Sequence, residues 1–302
     1  MKIKLLSLIA PALALWCSVS LLAAAEPMKK LLVVTTTAAF RHSSIPTAEQ
    51  VLSRLAAESG AFTVDFVRQP DGKPAPLKPG ASPEQQTLFK LAQEAWEAKL
   101  KQALMKLSPE SLKDYDGVVF ASTSGDLPIP DREGFLNWLR SGKAFIGIHA
   151  ASDTFHGWPE FIAMLGGEFK IHGAQVGVDC LNEDPQHPAN AALGKIWTIP
   201  QEEIYQFTNY VPANVHELLI MDRHPNNKTP GHYPVSWCRE FGRGKVFYTS
   251  LGHREDIWDT DPNLPNRKNP AVVSKAFQTH VRGGIEWALG IASHRPETPA
   301  NR

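Results

Sequence analysis

Three histidines follow segments that have the composition of buried β-strands. His42 comes after the run KKLLVVTTTAAF, His149 ends KAFIGIH, and His253 follows GKVFYTS. In an open parallel sheet the ligand crevice lies beyond the carboxyl ends of the strands, so these positions predict three imidazoles at one rim. An imidazole can exchange a proton near neutral pH or bind a divalent metal ion. A single histidine is more often a satisfied part of the core, but three in equivalent positions favour a shared site.

Carboxylates and further polar residues lie in or beside the same segments. We expect His149 and His253 to act as acid–base groups or as metal ligands, with Glu203 and Asp153 orienting or assisting them. The candidate metal ligands are His149, His172 and His253, because imidazoles with a carboxylate suit zinc or a similar divalent metal ion. No H-x-x-x-H or C-x-x-C spacing supports this metal site. The residues expected to contact a substrate share the predicted rim: Arg41, His42, Asp126, Trp158, Tyr205 and Arg254.

The turn after KAFIGIH argues against one common type of catalysis. Many α/β enzymes place a Ser or Cys nucleophile on a tight turn after a central strand, where small neighbours permit the bend. Here GIHAAS has the small neighbours, but His149 occupies the turn and Ser152 lies past it. Acyl-enzyme chemistry at this turn therefore lacks its attacking atom. The chain also has no G-x-G-x-x-G after the first strand and no G-x-x-x-x-G-K-[ST], so we expect no nucleotide cofactor.

The elements that must position these residues alternate between strands and helices. Apolar or β-branched runs predict strands from residue 30 and over 62–67, 116–122 and 143–149, and helical spacing predicts helices over 45–59, 131–141 and 270–289. This alternation predicts an α/β, doubly wound, mostly parallel sheet, with additional short strands in the C-terminal half. Residues 69–110 read as an inserted loop and helix whose apolar stripe, from Leu88 and Leu91 to Trp96, Leu100 and Leu104, is expected to pack on the core.

The ends and the composition of the chain bear on its location and partners. Residues 1–25 have the basic, apolar and A-x-A regions of a signal peptide, which predicts export to the periplasm or the extracellular space. The remaining residues, 26–302, are predicted to form one domain. No second apolar stretch is long enough to span a membrane. The 31 basic and 31 acidic residues balance, so a small neutral partner is expected rather than nucleic acid. Cys180 and Cys238 could form a disulfide, although two buried thiols are the simpler interpretation.

Several of these segments together resemble the trehalose-utilisation, or ThuA-like, family of the class I glutamine amidotransferase-like superfamily. The resemblance rests on FRHSSI, YDGVVFASTSGDL, GKAFIGIHAASDTFHGWPEF, EIYQF, YPVSW, KVFYTSLGHRED and HVRGGIEWALG, which cover nearly all of residues 26–302 in order. It implies a flavodoxin-like fold. It also maps the family's recurrent polar positions onto the following residues: His42, His149, Asp153, His172, Glu203 and His253.

The resemblance also bears on the reaction. In amidotransferases the turn after this strand holds a catalytic Cys, whereas here it holds His149, and the segment from Gly252 to Glu255 resembles a remnant of their His-x-Glu motif. Glutamine hydrolysis is therefore not expected. The family association implies an enzyme of carbohydrate catabolism, acting as a hydrolase or lyase on a disaccharide or a 3-keto glycoside, and the predicted signal peptide implies that it is exported. The alternative is a non-catalytic sugar-binding or interaction module. The His172-Gly173 pair, where the family often has His-Pro, and the large insertion depart from the family pattern.

Overall fold

The computed structural model describes residues 28–291 of the 302-residue chain, so the predicted signal peptide lies outside the described residues. Eleven strands lie within that range. They are β1 (Lys29–Val34), β2 (Phe62–Val67), β3 (Gly117–Ala121), β4 (Ala144–Ile148), β5 (Glu168–His172), β6 (Val176–Asn182), β7 (Ile196–Glu202), β8 (Tyr205–Thr208), β9 (His216–Arg223), β10 (Pro230–Phe241) and β11 (Gly244–Thr249).

Nine of these strands form one mixed sheet in the order β2-β1-β3-β4-β11-β10-β9-β6-β7. The first five are parallel to one another, and the other four extend the sheet through antiparallel pairs. Strands β5 and β8 form a separate antiparallel pair. The predicted α/β fold, with a parallel sheet and short additional strands in the C-terminal half, is confirmed.

Helices cover both faces of the parallel strands. They are α1 (Ile45–Ser59), α2 (Pro83–Leu104), α3 (Pro109–Leu112), α4 (Arg132–Arg140), α5 (Pro159–Leu165), α6 (Glu255–Trp258) and α7 (Ala271–Ala288), with short 3₁₀ turns at Met105–Leu107, His149–Asp153 and Pro212–Asn214. Successive side chains of β1 pack into two different hydrophobic cores, one on each face of the sheet. Leu31 and Val33 pack in the core that includes α1 and α7, while Leu32 and Val34 pack in the core that includes α2, α4 and α5. Period-2 alternation in a strand buried on both faces gives this doubly wound arrangement.

The insertion packs on the sheet over only part of its length. Trp96, Leu100 and Leu104 of α2 are buried, but Leu88 and Leu91 are 60% and 58% exposed. The prediction that the whole apolar stripe contacts the core is therefore wrong for the first half of the helix. The reason is that helical spacing predicts which residues share a face, whereas the tertiary fold decides how far that face is covered.

The two cysteines outside the predicted signal peptide are buried and free. Burial raises the pKa of the Cys180 thiol to about 12, and the Cys238 sulfur lies 3.7 Å from Nε2 of His187. Thiols of this kind behave as small apolar groups rather than as nucleophiles. Among the helices within residues 28–291, none combines the length and the apolar character needed to cross a membrane.

Candidate functional site

Four side chains from distant segments meet at the carboxyl ends of the parallel strands. His42 follows β1, His149 follows β4, Glu203 follows β7 and His253 follows β11. One potential ligand atom from each lies within 4.8 Å of the other three. We call these four residues the histidine cluster. Three of them are buried, and His253 is partly buried.

Four of the six distances between the ligand atoms are close to those of a tetrahedral metal site. Nε2 of His149 lies 3.1 Å from Nε2 of His42 and 3.3 Å from Nδ1 of His253. Oε2 of Glu203 lies 3.1 Å from that Nδ1 atom and 3.7 Å from Nε2 of His149. Ligands bonded tetrahedrally to zinc at about 2.0–2.1 Å are about 3.3 Å apart. A divalent ion therefore fits among these atoms with small side-chain movements.

His149 is the first residue of the 3₁₀ turn that follows β4. Its φ is +51°, a left-handed conformation that is unfavourable for any residue except glycine. The hydroxyl of Tyr248 donates to the His149 carbonyl at 2.8 Å and lies 2.8 Å from the hydroxyl of Ser152. Backbone strain of this kind persists only where the surroundings enforce it, and it is concentrated at functional sites.

Hydrogen bonding and burial keep the central imidazoles neutral. Nδ1 of His149 donates to the Ser250 carbonyl at 2.7 Å, which leaves a lone pair on Nε2 inside the cluster. Burial, and then the neighbouring His42 and His253, hold the pKa of His149 well below its usual value. Burial and then His253 lower the pKa of His42 to about 4, against an opposing contribution from Glu203. Neutral imidazole is the form that binds a metal ion.

Glu203 links the histidine cluster to a more exposed histidine. Its Oε2 atom faces the cluster, while Oε1 lies 3.0 Å from Nδ1 of His172, whose side chain is 44% exposed. The ring of Tyr205 packs 4.4 Å from that of His149 and is buried. His172 therefore lies between the cluster and solvent, with its Nδ1 atom near Glu203 and 2.9 Å from the Gly173 carbonyl.

The residue before Glu203 also contacts the site. Oε1 of Glu202 accepts hydrogen bonds from the backbone N–H groups of His253, at 2.9 Å, and Glu203, at 3.2 Å. Burial raises the pKa of Glu202 to about 8, although these two hydrogen bonds oppose the rise. From the sequence, the Glu202-Glu203 pair could reach the pocket edge, but only Glu203 was predicted as a site residue. The adjacent carboxylates in PQEEIYQF were the one signal that pointed to Glu202.

Comparison with known proteins identifies the family. Residues 30–288 match the model of the ThuA family, described as trehalose utilisation. The chain belongs to the ThuA family. Its structure is similar to a ThuA-like protein of Parabacteroides merdae, with a TM-score of 0.62, 20% identity and coverage of 90% of this chain and 94% of the other. A ThuA-like protein of Bacteroides uniformis gives a TM-score of 0.57 at 18% identity, with coverage of 88% and 93%. At these identities the likeness concerns the fold. No curated protein gives a significant match.

The candidate metal ligands of this ThuA chain differ from the predicted set. His149, His172 and His253 were predicted, whereas the group of close ligand atoms contains His42 and Glu203 in place of His172. His42 was predicted as a substrate contact. It joins the cluster because the carbonyl of Phe40 accepts a hydrogen bond from the Ser124 hydroxyl at 2.6 Å, and this long-range contact fixes the loop after β1.

Asp153 was predicted to assist the histidines, but its hydrogen bond goes elsewhere. Its Oδ1 atom lies 2.7 Å from Nε2 of His156, and Nδ1 of the same ring lies 2.7 Å from Glu168. Burial lowers the pKa of His156, but the two carboxylates outweigh it and the pKa is raised. The 3₁₀ turn starting at His149 separates Asp153 from the cluster.

The predicted substrate contacts are dispersed. Trp158 is buried in the core, with its ring 5.1 Å from that of Phe155, because apolar packing satisfies it better than the rim would. Asp126 forms an exposed ion pair with Arg132. The remaining two arginines bind protein groups: Arg41 donates to the Thr35 carbonyl at 2.7 Å, and Arg254 donates to Asp256 and Gln175. Of the six predicted contacts, the structure brings His42 and Tyr205 against the other site residues.

Proposed function

We propose that this ThuA-family protein is a carbohydrate-processing enzyme whose histidine cluster binds a divalent transition-metal ion such as zinc. Membership of the trehalose-utilisation family supports the carbohydrate-related role. The single observation that supports the metal site is the convergence of three imidazole nitrogens and one carboxylate oxygen within 4.8 Å of one another. Imidazole-rich sites favour zinc, iron, nickel or copper, whereas magnesium and calcium prefer oxygen ligands.

The electrostatics of the cluster also favour a cation. His149 and His42 have lowered pKa values and are neutral at neutral pH, and their Nε2 atoms face each other at 3.1 Å. The neutral tautomer of His149 has no proton on Nε2, because its proton is on the Nδ1 atom that bonds to Ser250. Lone pairs and the Glu203 carboxylate thus point at a common centre that a divalent ion can neutralise.

The chemistry we propose is proton transfer beside a polarised substrate oxygen. When bound, the ion would act as a Lewis acid toward a carbonyl or hydroxyl oxygen of the sugar. His172, half-exposed and paired with Glu203, can hold or accept a proton at the entrance to the cluster. For a 3-keto glycoside, removal of the C2 proton would leave its electrons to form the C1–C2 double bond as the glycosidic C1–O bond breaks. The departing oxygen then takes up a proton.

We propose Phe40 as the surface that the sugar ring contacts. Its side chain is 64% exposed, and its ring lies 4.8 Å from His42 in an edge-on arrangement. The Ser124 hydroxyl fixes its backbone at 2.6 Å. An exposed aromatic ring on a fixed loop beside polar groups suits a sugar, whose C–H face is apolar while its hydroxyls form hydrogen bonds.

Isothermal titration calorimetry with zinc tests the metal site. We expect the chelator-treated protein to bind about one ion per chain, and His42→Ala, His149→Ala and His253→Ala each to weaken binding by at least about 10–100-fold. The matched control is His156→Ala, since that histidine bonds to Asp153 and Glu168 outside the cluster. Absence of binding to the wild-type protein, or an equal loss in the control, would rule the site out.

Turnover of ordinary and 3-keto disaccharides tests the reaction. We expect product formation from the metal-loaded protein and its loss in Glu203→Gln and His172→Ala. Saturable sugar binding without turnover in the presence of zinc, iron, nickel or copper would instead indicate a non-catalytic binding module. No sugar binding at all would refute the carbohydrate proposal while leaving the metal site intact.

We also propose that the protein is exported to the periplasm or the extracellular space. The support is the sequence of residues 1–25, with its basic start, apolar centre and Ala-rich end. N-terminal sequencing of the protein secreted by its host should begin at Glu26. Recovery of the uncleaved chain from the cytosol would contradict this proposal.

A further inference from the structure

Glu202 is a buried carboxyl group that contacts two members of the histidine cluster through one oxygen. It is fully buried. Its Oε1 atom accepts the N–H of His253 at 2.9 Å and the N–H of Glu203 at 3.2 Å. We propose that Glu202 is a positioning residue that holds the backbones of Glu203 and His253 at the separation needed for metal binding. This inference rests on the proposed metal site.

The sheet itself does not connect the two segments that Glu202 joins. Glu202 ends β7, the edge strand, whereas His253 follows β11 at the border of the parallel region. Strands β10, β9 and β6 lie between them in the order of the sheet, so no ladder hydrogen bond links β7 to β11. The separation of Glu203 and His253 is therefore not fixed by strand register. The Glu202 oxygen supplies a direct link.

The distances within the cluster depend on this link. His253 Nδ1 lies 3.1 Å from Glu203 Oε2, and both backbones contact the same Glu202 oxygen. Displacement of either backbone would separate these ligand atoms from each other and from His149. Groups that orient metal ligands typically change metal affinity by about 10–100-fold when they are removed.

The contribution of Glu202 to folding stability does not explain a carboxyl group at this position. Its Oε2 atom is buried and has no hydrogen-bond partner among residues 28–291. A buried polar atom left without a partner is unfavourable. A carboxyl group at this position is better explained by the geometry that its other oxygen imposes than by its contribution to folding.

The amide analogue distinguishes acceptor geometry from charge. The Glu202→Gln variant keeps an oxygen acceptor on a side chain of the same length, whereas Glu202→Leu removes the acceptor. Glu202→Asp keeps the carboxyl group but shortens the side chain by one methylene, and it serves as a milder variant if Glu202→Leu does not fold. Glu217→Leu is the matched control, because Glu217 also accepts two hydrogen bonds through one oxygen, from Tyr210 and His232 on other segments.

Zinc titration and amide hydrogen exchange of the metal-free protein test the inference. We expect Glu202→Gln to bind zinc within about threefold of the wild type, and Glu202→Leu and Glu202→Asp to bind about 10–100-fold more weakly. Glu217→Leu should keep wild-type zinc affinity. Amide exchange at Glu203 and His253 should accelerate in the Leu and Asp variants but not in the Gln variant.

The two readouts separate this inference from the proposed function. If the wild type binds no zinc, the metal site is wrong, and accelerated exchange at Glu203 and His253 still decides whether Glu202 holds the two backbones. If the wild type binds zinc and a folded Leu or Asp variant binds it equally well with unchanged exchange, Glu202 is not a positioning residue. A weakened Gln variant would also overturn the inference, because the acceptor geometry is retained there.

Discussion

The backbone of His149 predicts an unusual order of stability for two substitutions at the same site. Ala and Gly both remove the imidazole, its bond to Ser250 and its packing on Tyr205, so these losses cancel when the two variants are compared. At φ +51° a side chain with a Cβ atom costs about 1–2 kcal/mol relative to glycine. Glycine loses about 0.4–1 kcal/mol through the greater entropy of its unfolded chain. The midpoints of these two ranges differ by about 0.8 kcal/mol, so we expect His149→Gly to be more stable than His149→Ala by about that amount.

Urea unfolding in the presence of a chelator measures this difference without any metal contribution. In thermal melts of a chain of this size, the two melting temperatures should differ by about 1–4 °C. Ala144→Gly in the same strand is the control, because glycine in a strand destabilises by about 0.5–1 kcal/mol relative to alanine. Equal stability of the two His149 variants, or greater stability of the Ala variant, would show that the backbone at this position is not strained and would refute the reasoning.

Three further predictions concern pH, the loop after β1 and the substrate. Burial lowers the pKa of His280 to about 4. Between about pH 4 and pH 6.5 the unfolded chain therefore binds more protons at this residue than the folded chain does. The free energy of unfolding should rise with pH across that window by up to about 3 kcal/mol. Urea titrations should show a flatter dependence for His280→Gln, and an unchanged slope would contradict the assignment. Gly125→Ala should lower the melting temperature and weaken zinc binding, because the φ of Gly125 is +74° and the new Cβ would lie 2.8 Å from the Ala39 nitrogen. If the variant melted at the wild-type temperature, this close contact would not be destabilising. Phe40→Ala should raise KM several-fold, with stability changed by less than about 0.5 kcal/mol. Phe40→Trp should restore KM, and equal KM values for all three proteins would exclude stacking.

The rim histidines could be predicted from the sequence because strand ends are local signals. The runs before His149 and His253 are short, apolar and followed by turn residues, and the rule for parallel sheets places their ends at one edge. The structure places Nε2 of His149 within hydrogen-bonding distance of both His42 and His253. The parallel strand order that makes this possible follows from the alternation of strands and helices.

The remaining site residues depend on tertiary contacts that the sequence does not specify. Asp153 lies in the right segment, but the 3₁₀ turn after His149 directs its carboxylate to His156. Trp158 has the residue type for sugar stacking, yet a neighbouring aromatic core buries it. Glu202 contacts the site because β7 ends near the loop after β11, and neither hydrophobic period nor motif spacing predicts that approach.

The origin of the four cluster residues has a consequence for biogenesis. The first follows β1 and the last follows β11, so a nascent chain presents all four only after nearly the whole sheet has been synthesised. Fragments that end before β11 would lack His253, and any cation they captured would be held by an incomplete set of donors. On the proposed metal site, stable metallation should therefore be a late event that reports completion of the sheet, and truncated products should be recognisable by their failure to retain zinc.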